Sequence, residues 1–458
     1  MTRQAAAQPP AQDPGRKLRK IVTSSTIGAM VEWYDFFLYG VVAGLVFNKL
    51  YFPSTDPVVG TLLAYATFAA GFVARPLGGV IFGHFGDTLG RKRMLVLTLM
   101  IMGIATTAIG LIPTYDQIGI WAPVLLLLCR IAQGIGLGGE WGGAVLMTFE
   151  SAPPGRRGFF ASLPQTGMSL GLVLASGVIA LLSALLSDRD FLAWGWRIAF
   201  LLSAVMVFIG SYMRTHVEES PEFAAAQRQP PRHTPRQQPE DSALPFLAML
   251  RQYPRVVLAC MGARFIDGVF FNVFGVFSLA YLTQTLKLSR NEALLGVLLG
   301  AGVMTLFIPL WGAVSDRLGR PLVYGTGALL AGLSAFPAFW LMQHSGGNVL
   351  LVWAAIIIPF GIFHAAVFGT MSSMFSEVFD ARVRYTGISF VYQFAGVFAG
   401  GLTPIIATWL NAQGGGEPWY LCGYVLAIGV LSAACTLWIG RRQGPAGARA
   451  LAPSEAGA

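Results

Sequence analysis

Charged residues are scarce in this chain. Asp, Glu, Lys and Arg make up 12% of its 458 residues, whereas hydrophobic residues make up 55% and the mean hydropathy is +0.61. Soluble proteins carry about 25% charged residues, so this chain has too few charges to cover a surface that faces water. The composition excludes an ordinary soluble domain and predicts a polytopic membrane protein whose outer surface contacts lipid.

Cysteine is also scarce, with four residues in the chain. Each lies in an apolar stretch, and none has the CxxC or Cys/His spacing of a zinc, disulfide or redox site. The glycine-rich segment GIGLGG at 134–139 lies inside an apolar span and follows no strand, so it predicts close helix packing rather than a nucleotide site. No nucleophilic triad is recognisable. We therefore expect no metal, no cofactor and no enzymatic activity.

Long apolar segments are abundant instead. A membrane-spanning helix needs about 20 mostly apolar residues, and twelve segments meet that length, six on each side of a polar, Pro-rich stretch. The sequence thus predicts an all-α membrane protein with twelve transmembrane helices in two six-helix bundles. The predicted helices are 21–47, 58–84, 93–112, 120–148, 158–186, 195–213, 254–284, 292–315, 321–343, 348–376, 385–411 and 418–440. The predicted domains are a tail at 1–20, bundles at 21–213 and 254–440, a linker at 214–253 and a tail at 441–458.

Basic residues concentrate on one side of the predicted spans. Short loops on that side hold clusters such as Arg91, Lys92 and Arg93, whereas loops on the other side carry mainly acids such as Asp116 and Asp188. The positive-inside rule therefore predicts that both termini and the linker lie in the cytoplasm, with the protein in the inner membrane. The net charge of +9 comes from loops and forms no continuous basic stripe, so we expect no nucleic-acid partner.

One charged phrase occurs twice. GHFGDTLGRKR at Gly83–Arg93 and GAVSDRLGRPL at Gly312–Leu322 are offset by 229 residues, half the chain, which indicates two homologous bundles. A second acid-before-base pattern recurs at Glu150 and Glu377 with an offset of 227 residues. Carboxylates at such turns can accept hydrogen bonds from helix N-termini of the other bundle and pair with arginines, which predicts a cytoplasmic gate. The alternative is that the basic residues only set topology. The predicted gate comprises Asp87, Arg91, Lys92, Arg93, Glu150, Arg157, Asp316, Arg317, Arg320, Glu377 and Arg384.

Several segments resemble a known family. EWYDFFLYG (Glu32–Gly40), ARPLGGVIFGHFGD (Ala74–Asp87), RIAQGIGLGGEWGGA (Arg130–Ala144) and GGLTPIIATWL (Gly400–Leu410) are similar to the metabolite:proton symporters of the major facilitator superfamily. SLPQTGMSLGLVLASG at 162–177 looks most like the shikimate-type branch and lacks the Gly-Pro phrase of drug antiporters. The resemblance implies a carrier that takes up organic acids or zwitterions such as shikimate, α-ketoglutarate, citrate, proline or betaine together with protons.

Two carboxyl residues lie in the first predicted span. Glu32 and Asp35 are three residues apart and share one helix face, among Trp33, Tyr34 and Phe36. Apolar surroundings disfavour the charged form of a carboxyl, which suits a proton carrier. Asp35 is therefore a candidate for proton coupling, and a fixed ion pair with an arginine of the fourth span is the alternative. For Glu32 a structural role is the alternative.

Three arginines lie inside predicted spans. Arg130 has a guanidinium that suits a substrate carboxylate or a pairing with Asp35, and Arg75 precedes Pro76 and either lines a cavity or points to the cytoplasm. Arg264 and Asp267 are placed to neutralise each other or to separate when substrate binds, and Asp267 is thus a further candidate for proton coupling. Glu140 fits a buried structural carboxylate, and a role in a proton relay is the alternative. The remaining candidate substrate ligands are Gln133, Gln165, Asn272, His364, Tyr392 and Gln393. For His364 the alternative is a hydrogen-bonded histidine of the core.

These features together predict a proton-coupled symporter. It would import a small organic acid, such as shikimate or a related carboxylate, by alternating access, and one chain holding both halves would act as a monomer. The alternatives are a carrier for a dicarboxylate or a zwitterion, a carrier that uses no proton, and a non-transporting sensor with a carrier fold.

Overall fold

The computed structural model describes residues 14–53, 57–89, 91–215, 245–379 and 384–443. Within these ranges the backbone forms helices joined by turns, and no residue is in a β-strand. The repeating feature is a long helix followed by a short loop, at which the chain reverses direction. We number the twelve long helices α1 to α12.

The first half contains six long helices. Two of them adjoin a π-helical turn, which inserts an extra residue and locally widens the helix. α1 continues beyond Val42 through the π turn Ala43–Phe47, and α6 is preceded by the π turn Phe191–Gly195. The helices are α1 (Pro14–Val42), α2 (Pro57–Leu89), α3 (Arg91–Leu111), α4 (Trp121–Ser151), α5 (Arg157–Ser162 and Thr166–Leu185) and α6 (Trp196–Thr215).

The second half repeats this plan after a short helix at Pro245–Gln252. Its π turns are Val273–Phe277 and Tyr281–Thr285 at the end of α7, Ile357–Phe363 in α10 and Val397–Gly401 in α11. The helices are α7 (Pro254–Asn272), α8 (Arg290–Leu318), α9 (Arg320–Gln343), α10 (Val349–Ile356 and His364–Val378), α11 (Arg384–Gly396 and Thr403–Gln413) and α12 (Trp419–Gln443).

The helices have the length and composition of membrane spans. Ten of them are long and apolar enough to cross a bilayer within the described residues. α2 has a shorter apolar stretch, Ala66–Phe82, and α1 carries Glu32 and Asp35 near its centre. The predicted all-α, twelve-helix membrane fold is confirmed.

Some predicted boundaries differ from the structure. α1 begins at Pro14 rather than at residue 21, so part of the predicted tail 1–20 is helical. Arg16, Arg19 and Lys20 are exposed in this part of α1. The helix includes them because a polar sequence can continue a helix beyond its apolar span. The predicted linker 214–253 contains the end of α6 and the helix Pro245–Gln252, whose apolar residues recur at helical spacing and bury Met249. Residues 216–244 lie outside the described ranges.

The two halves meet along a limited set of helices. α2, α4 and α5 of the first half pack against α8, α10 and α11 of the second. α1 begins and α12 ends on the same side of the molecule, which we call the terminal face. The ends of α4, α8 and α10 and the starts of α5, α9 and α11 lie on this face too, since neighbouring helices run in opposite directions.

Candidate functional site

A cleft of about 410 Å³, including the part open to solvent, lies between the two halves. α1, α2, α4 and α5 of the first half and α11 of the second contribute its walls. Its lining combines an arginine, two acids, amides and aromatic rings: Arg75, Glu32, Glu140, Gln165, Gln393, Trp33, Trp141 and Tyr392.

The glycines of α4 allow neighbouring helices to approach the cleft closely. A Cβ atom at Gly138 would collide with the carbonyl oxygen of Arg75 on α2, and one at Gly142 would collide with the Ser389 hydroxyl on α11. The hydroxyl of Tyr385 on α11 donates a hydrogen bond to the Gly139 carbonyl at 2.5 Å. The glycine-rich segment thus serves close helix packing, as predicted from its position in a span.

A proline sets the position of the amide in α5. Pro164 has no N–H to donate, and the α-helix is interrupted at residues 163–165. Gln165 lies at this interruption, where its Oε1 accepts a hydrogen bond from the Trp141 indole at 2.8 Å. Its Nε2 donates to the carbonyl of Phe368 in α10 at 3.3 Å, so one side chain connects the two halves.

Two stacked rings close one wall of the cleft. Trp141 of α4 and Tyr392 of α11 have ring centroids 3.9 Å apart and planes 11° apart. Gln393, the next residue, donates from Nε2 to the carbonyls of Leu137 and Gly138 at 3.2 and 3.1 Å. The stacked rings and these hydrogen bonds cross the interface between the halves. A change in the distance between the halves must therefore alter this wall of the cleft.

Arg75 is buried at the cleft, with 4% of its surface exposed. Its guanidinium carbon lies 4.1 Å from the ring centroids of both Phe36 and Phe72. Among the described residues, no hydrogen-bond acceptor contacts its Nε or Nη2 and no carboxylate lies within ion-pair distance of it. Its charge is therefore balanced by aromatic rings rather than by an acid.

Arg130 lies deeper, outside the cleft lining. Its guanidinium carbon is 4.3–4.6 Å from the ring centroids of Phe36, Tyr39 and Phe68, and the residue is completely buried. Its Nη1 donates to Gln133 Oε1 at 2.9 Å. In this structure the three rings surround Arg130, and the residue is not part of the cleft lining.

Asp35 is completely buried on α1. Its Oδ1 accepts a hydrogen bond from the Ser203 hydroxyl of α6 at 2.6 Å. Thr106, whose hydroxyl accepts from Gln133 Nε2 at 2.7 Å, lies beside the same carboxyl. Among the described residues no basic side chain is within ion-pair distance of Asp35, so the predicted alternative of a fixed pair with Arg130 does not occur in this structure.

A second buried charge cluster lies in the second half. Arg264 and Asp267, one turn apart on α7, form an ion pair. Asp267 Oδ1 is also 2.8 Å from His364 Nε2 of α10. The Arg264 guanidinium carbon lies 4.2 Å from the ring centroid of Tyr392, which connects this cluster to the cleft wall.

The terminal face is closed by contacts of Asp316, at the end of α8. Its Oδ1 and Oδ2 accept hydrogen bonds from the backbone N–H groups of Gly158 and Phe159, at the start of α5, at 2.8 and 3.0 Å. Arg320 Nη2 donates to the same carboxylate at 2.7 Å. The acid of the second repeated phrase therefore joins the two halves on this face.

Two further ion pairs lie on the terminal face. Arg384 of α11 is 3.7 Å from Glu150 of α4 and crosses between the halves, and Arg320 is 3.2 Å from Glu377 of α10. The Arg157 guanidinium carbon lies 4.8 Å from the Phe149 ring centroid. Arg93 and Arg317 are exposed. The side chains of Asp87, Arg91 and Lys92 lie outside the described part of the chain.

Comparison with protein families identifies the chain. The model of the "Sugar (and other) transporter" family matches residues 21–439, from α1 to α12. The chain belongs to this family of the major facilitator superfamily. It is a multi-pass membrane transporter, and the predicted membership of the superfamily is confirmed.

The transporter is similar over most of its length to curated metabolite carriers. The Shikimate transporter of Escherichia coli (strain K12) is 42% identical over 421 residues, which cover 92% of this chain and 94% of that protein. The Proline/betaine transporter of the same strain is 35% identical over 420 residues, covering 91% and 83%. The crystallised proton:xylose symporter XylE, bound to 6-bromo-6-deoxy-D-glucose, has a TM-score of 0.75 at 16% identity, covers 94% of this chain and 96% of its own, and shows the same fold.

The transporter brings some of the predicted site residues together and separates others. Glu32, Arg75, Gln165, Tyr392 and Gln393 line the cleft. The predicted ligands that do not line it are Arg130, Gln133, Arg264, Asn272 and His364, and Asp267, a predicted proton-coupling residue, does not line it either. Asn272 donates to the Gly268 carbonyl of its own helix at 2.8 Å. Whether a predicted residue lines the cleft depends on which face of its helix it occupies, because residues on the other faces lie against neighbouring helices.

The lining of the transporter's cleft also includes Trp33, Glu140 and Trp141, which are not among the predicted ligands. The sequence feature that could have identified Glu140 and Trp141 is the segment GGEWGG, in which small residues flank one acid and one large ring. Small flanking residues leave room for a partner helix, so a large side chain between them is placed at an interface.

Proposed function

We propose that this transporter is a proton-coupled symporter that imports a small organic acid, such as shikimate or a related carboxylate, across the inner membrane by alternating access. The observation that carries the proposal is a cleft between the halves. It holds Arg75, which has no acidic partner among the described residues, and it lies next to α1, whose buried Asp35 has no basic partner among them. The similarity to shikimate and proline/betaine carriers supports the same class of cargo.

The proton site is assigned to Asp35. An ionised carboxylate that is completely buried and has no basic partner is unstable by several kcal/mol relative to water. Ser203 supplies a hydrogen bond to Oδ1, which accommodates the carboxyl without neutralising it. The carboxyl of Asp35 therefore keeps its proton while these surroundings persist. The proton can leave when the surroundings of α1 change, as they do when the halves move against each other.

Arg130 and Phe36 are the proposed connection between the proton and the cargo. Arg130 is linked to the surroundings of Asp35 through Gln133 and Thr106. The Phe36 ring contacts both Arg130 and Arg75. Loss of the proton from Asp35 would attract Arg130, and the shared ring would transmit that movement to the cleft.

The contacts of Asp316 support a gate on the terminal face. We assign this face to the cytoplasm, because the basic loops lie on it. With Asp316 bound to the start of α5 and Arg384 close to Glu150, the cleft is shut on this side. Import then requires that these contacts break as the halves rotate and the opposite side closes.

Uptake into proteoliposomes tests the proposal. Purified transporter is reconstituted, and radiolabelled shikimate and proline are supplied with and without an inside-alkaline pH gradient. We expect accumulation of one of them above its equilibrium level only with the gradient, and its loss on addition of a protonophore. Equal accumulation without the gradient would refute proton coupling, and no uptake of either probe would refute the cargo class.

The variant Asp35→Asn localises the proton. We expect it to lose gradient-driven accumulation but to retain exchange of labelled for unlabelled substrate, since exchange needs no net proton movement. The matched control is Asp188→Asn, which changes an exposed acid before α6. If Asp35→Asn still accumulates substrate with the gradient, the coupled proton is carried by a residue other than Asp35.

A further inference from the structure

We propose that His364 and Asp267 form a second proton-binding site, separate from Asp35, and that Arg264 decides whether this site holds its proton. The inference rests on the transport function proposed above and adds one proton to each cycle of import. It concerns the buried charges of the second half, which the mechanism around Asp35 does not use.

The position of His364 carries the first step. The residue directly follows the π turn Ile357–Phe363 of α10 and is completely buried, and π turns are frequent at functional sites. Its ring stacks with those of Phe270 and Phe360, with centroids 5.6 Å away in both cases and planes 23° and 8° apart. Because a phenyl ring would also pack in such a stack, the nitrogen atoms of His364 need a separate explanation.

The two ring nitrogens of His364 have different surroundings. Nε2 lies 2.8 Å from Asp267 Oδ1. An ionised carboxylate accepts hydrogen bonds and donates none, so Nε2 carries the hydrogen atom of this contact. Nδ1 is then an unprotonated acceptor, and it has no hydrogen-bond partner among the described residues. One lone pair is thus left for one further proton, on the type of side chain that changes its charge most readily near neutral pH.

The ion pair beside His364 keeps that proton off in this structure. Arg264 and Asp267 pair with each other and are 6% and 4% exposed, so the three residues together are neutral when His364 is neutral. A proton on Nδ1 would add a net positive charge to a buried space that already contains the guanidinium. Like charges repel strongly in such surroundings.

The neighbouring helices supply no second acid to this cluster. α4, α5 and α8 pack against α10 but place no described charge within ion-pair distance of His364. Within the described ranges, the remaining ionisable groups that interact with Arg264 or Asp267 come from three helices: Tyr324 of α9, Tyr392 of α11 and Arg75 of α2. Two phenols and a guanidinium carry no negative charge near neutral pH, so the site depends on Asp267.

Movement of Arg264 away from Asp267 reverses the balance. A buried carboxylate without a basic partner is unstable, and the imidazole 2.8 Å away is the group that can neutralise it. A proton from water then bonds to Nδ1 and gives an imidazolium beside the carboxylate. The same N–H bond breaks, and the proton returns to water, when Arg264 pairs with Asp267 again. Water on the side to which the cleft is open supplies or accepts this proton.

Tyr392 connects Arg264 to the movement of the halves. Trp141 of α4 occupies one face of the Tyr392 ring, at a centroid distance of 3.9 Å. The Arg264 guanidinium carbon lies 4.2 Å from the same centroid and therefore covers the other face. Because Trp141 belongs to the first half, separation of the halves at this stack changes the support of Arg264.

A second contact joins His364 to the helix that carries Asp35. Phe271 of α7 lies 6.3 Å from the His364 ring, centroid to centroid. It stacks on Phe37 of α1 with centroids 5.4 Å apart and planes 21° apart, and Phe37 follows Asp35 by half a turn. A movement of α1 against α7 therefore reaches both proton sites, as a carrier that binds two protons in one cycle requires.

Magnetic resonance of the imidazole nitrogens tests the site without transport. The protein is prepared in detergent with isotope-labelled histidine, and the His364 signals are identified by their loss in His364→Gln. We expect neutral His364 with its hydrogen on Nε2. Arg264→Met should raise the ratio of protonated to neutral His364 at neutral pH by about tenfold or more, since Asp267 then lacks its arginine. Adding Asp267→Asn should cancel the increase, and Arg189→Gln, at an exposed position, should leave the ratio unchanged.

The proton stoichiometry tests the coupling. Proteoliposomes accumulate labelled shikimate or proline to a limit at zero membrane potential. For each unit of pH gradient the limit is about tenfold with one coupled proton and about 100-fold with two. We expect the two-proton limit for the wild-type protein and the one-proton limit for His364→Gln, which keeps an N–H donor for Asp267. His344→Gln makes the same change at an exposed histidine and should keep the two-proton limit.

Two results would each overturn the inference. One is an unchanged protonation ratio in folded Arg264→Met, and the other is the same accumulation limit for His364→Gln and His344→Gln. Should Arg264→Met fail to fold, the comparison of the two histidine variants still decides. A wild-type protein that accumulates neither probe would refute the proposed transport function, whereas the protonation ratio would still report on the site itself.

Discussion

Arg75 and Arg130 share one aromatic ring. Their guanidinium carbons lie 4.1 and 4.5 Å from the centroid of Phe36, although one arginine lines the cleft and the other lies deeper between rings. Two cations this close would repel each other, and the ring's negative faces offset part of that repulsion. Phe36 is therefore the contact through which the cleft and the buried network around Asp35 can influence each other.

Replacement of Phe36 by leucine tests this connection. Phe36→Leu removes two cation–π contacts, each worth about 2 kcal/mol when desolvated. We expect an initial uptake rate about tenfold lower and a weaker dependence of accumulation on the pH gradient. The measurement is uptake in proteoliposomes at matched protein content. Phe208→Leu, at a position that is 74% exposed, is the control and should transport normally; equal rates for both variants would argue against a coupling role for Phe36.

The twelve-helix plan could be predicted because a bilayer requires a fixed apolar length, and that length is visible in the sequence. The repeated phrases at Asp87 and Asp316 revealed the duplication for a similar reason, since charges between apolar spans are conspicuous. The start of α1 at Pro14 and the helix at Pro245–Gln252 were missed because apolar length does not limit helices outside the membrane.

The site was predictable only in part. Ionisable residues in spans are rare, so Arg75, Arg130 and Arg264 were all recognisable as candidates. Which of them faces the cleft depends on helix rotation and on contacts distant in sequence. The aromatic enclosure of Arg130 and the approach of Gly138 to Arg75 are such contacts, and no periodicity encodes them.

The Asp316 contacts predict the effect of removing one charge on the terminal face. Asp316→Asn keeps the size of the side chain but weakens the charge-assisted hydrogen bonds to Gly158, Phe159 and Arg320, each worth about 1.5–3 kcal/mol. We expect the terminal face to open more often and uptake to fall about tenfold. Asp87→Asn, at the first copy of the phrase, is expected to insert normally and to impair transport as well.

Cysteine labelling measures this opening. In a background without the four native cysteines, Ser389→Cys reports access to the interface of α4 and α11, where Ser389 is completely buried. A polar maleimide should label it faster in Asp316→Asn than with Asp316 intact. Arg441→Gln, which changes an exposed basic residue at the end of α12 outside the predicted gate, is the control. Unchanged labelling and uptake in Asp316→Asn would remove Asp316 from the gate.

The close approach of α4 to α2 predicts a glycine-specific effect on stability. A Cβ at Gly138 would collide with the backbone of Arg75, whereas one at Gly177 in α5 has nothing within 4 Å. We expect Gly138→Ala to destabilise the fold by about 1–3 kcal/mol and to displace Arg75, which reduces transport. Gly177→Ala, the same chemical change in another span, should leave both unchanged. Thermal unfolding in detergent and uptake distinguish them, and similar melting temperatures for the two variants would contradict the prediction.

The ion pair of Arg264 and Asp267 predicts that two substitutions together are milder than one. Arg264→Met leaves the Asp267 carboxylate buried without its arginine, and breaking a buried pair in this way costs about 3–5 kcal/mol. Adding Asp267→Asn removes the unpaired charge while keeping an amide oxygen beside His364 Nε2, so the double variant should recover most of the lost stability. Thermal unfolding of the two single variants and the double variant gives the coupling energy. A double variant that is less stable than Arg264→Met alone would show that the pair is not held together by charge. Because Arg264 also covers the Tyr392 ring, the double variant is expected to remain impaired in transport even where its stability returns.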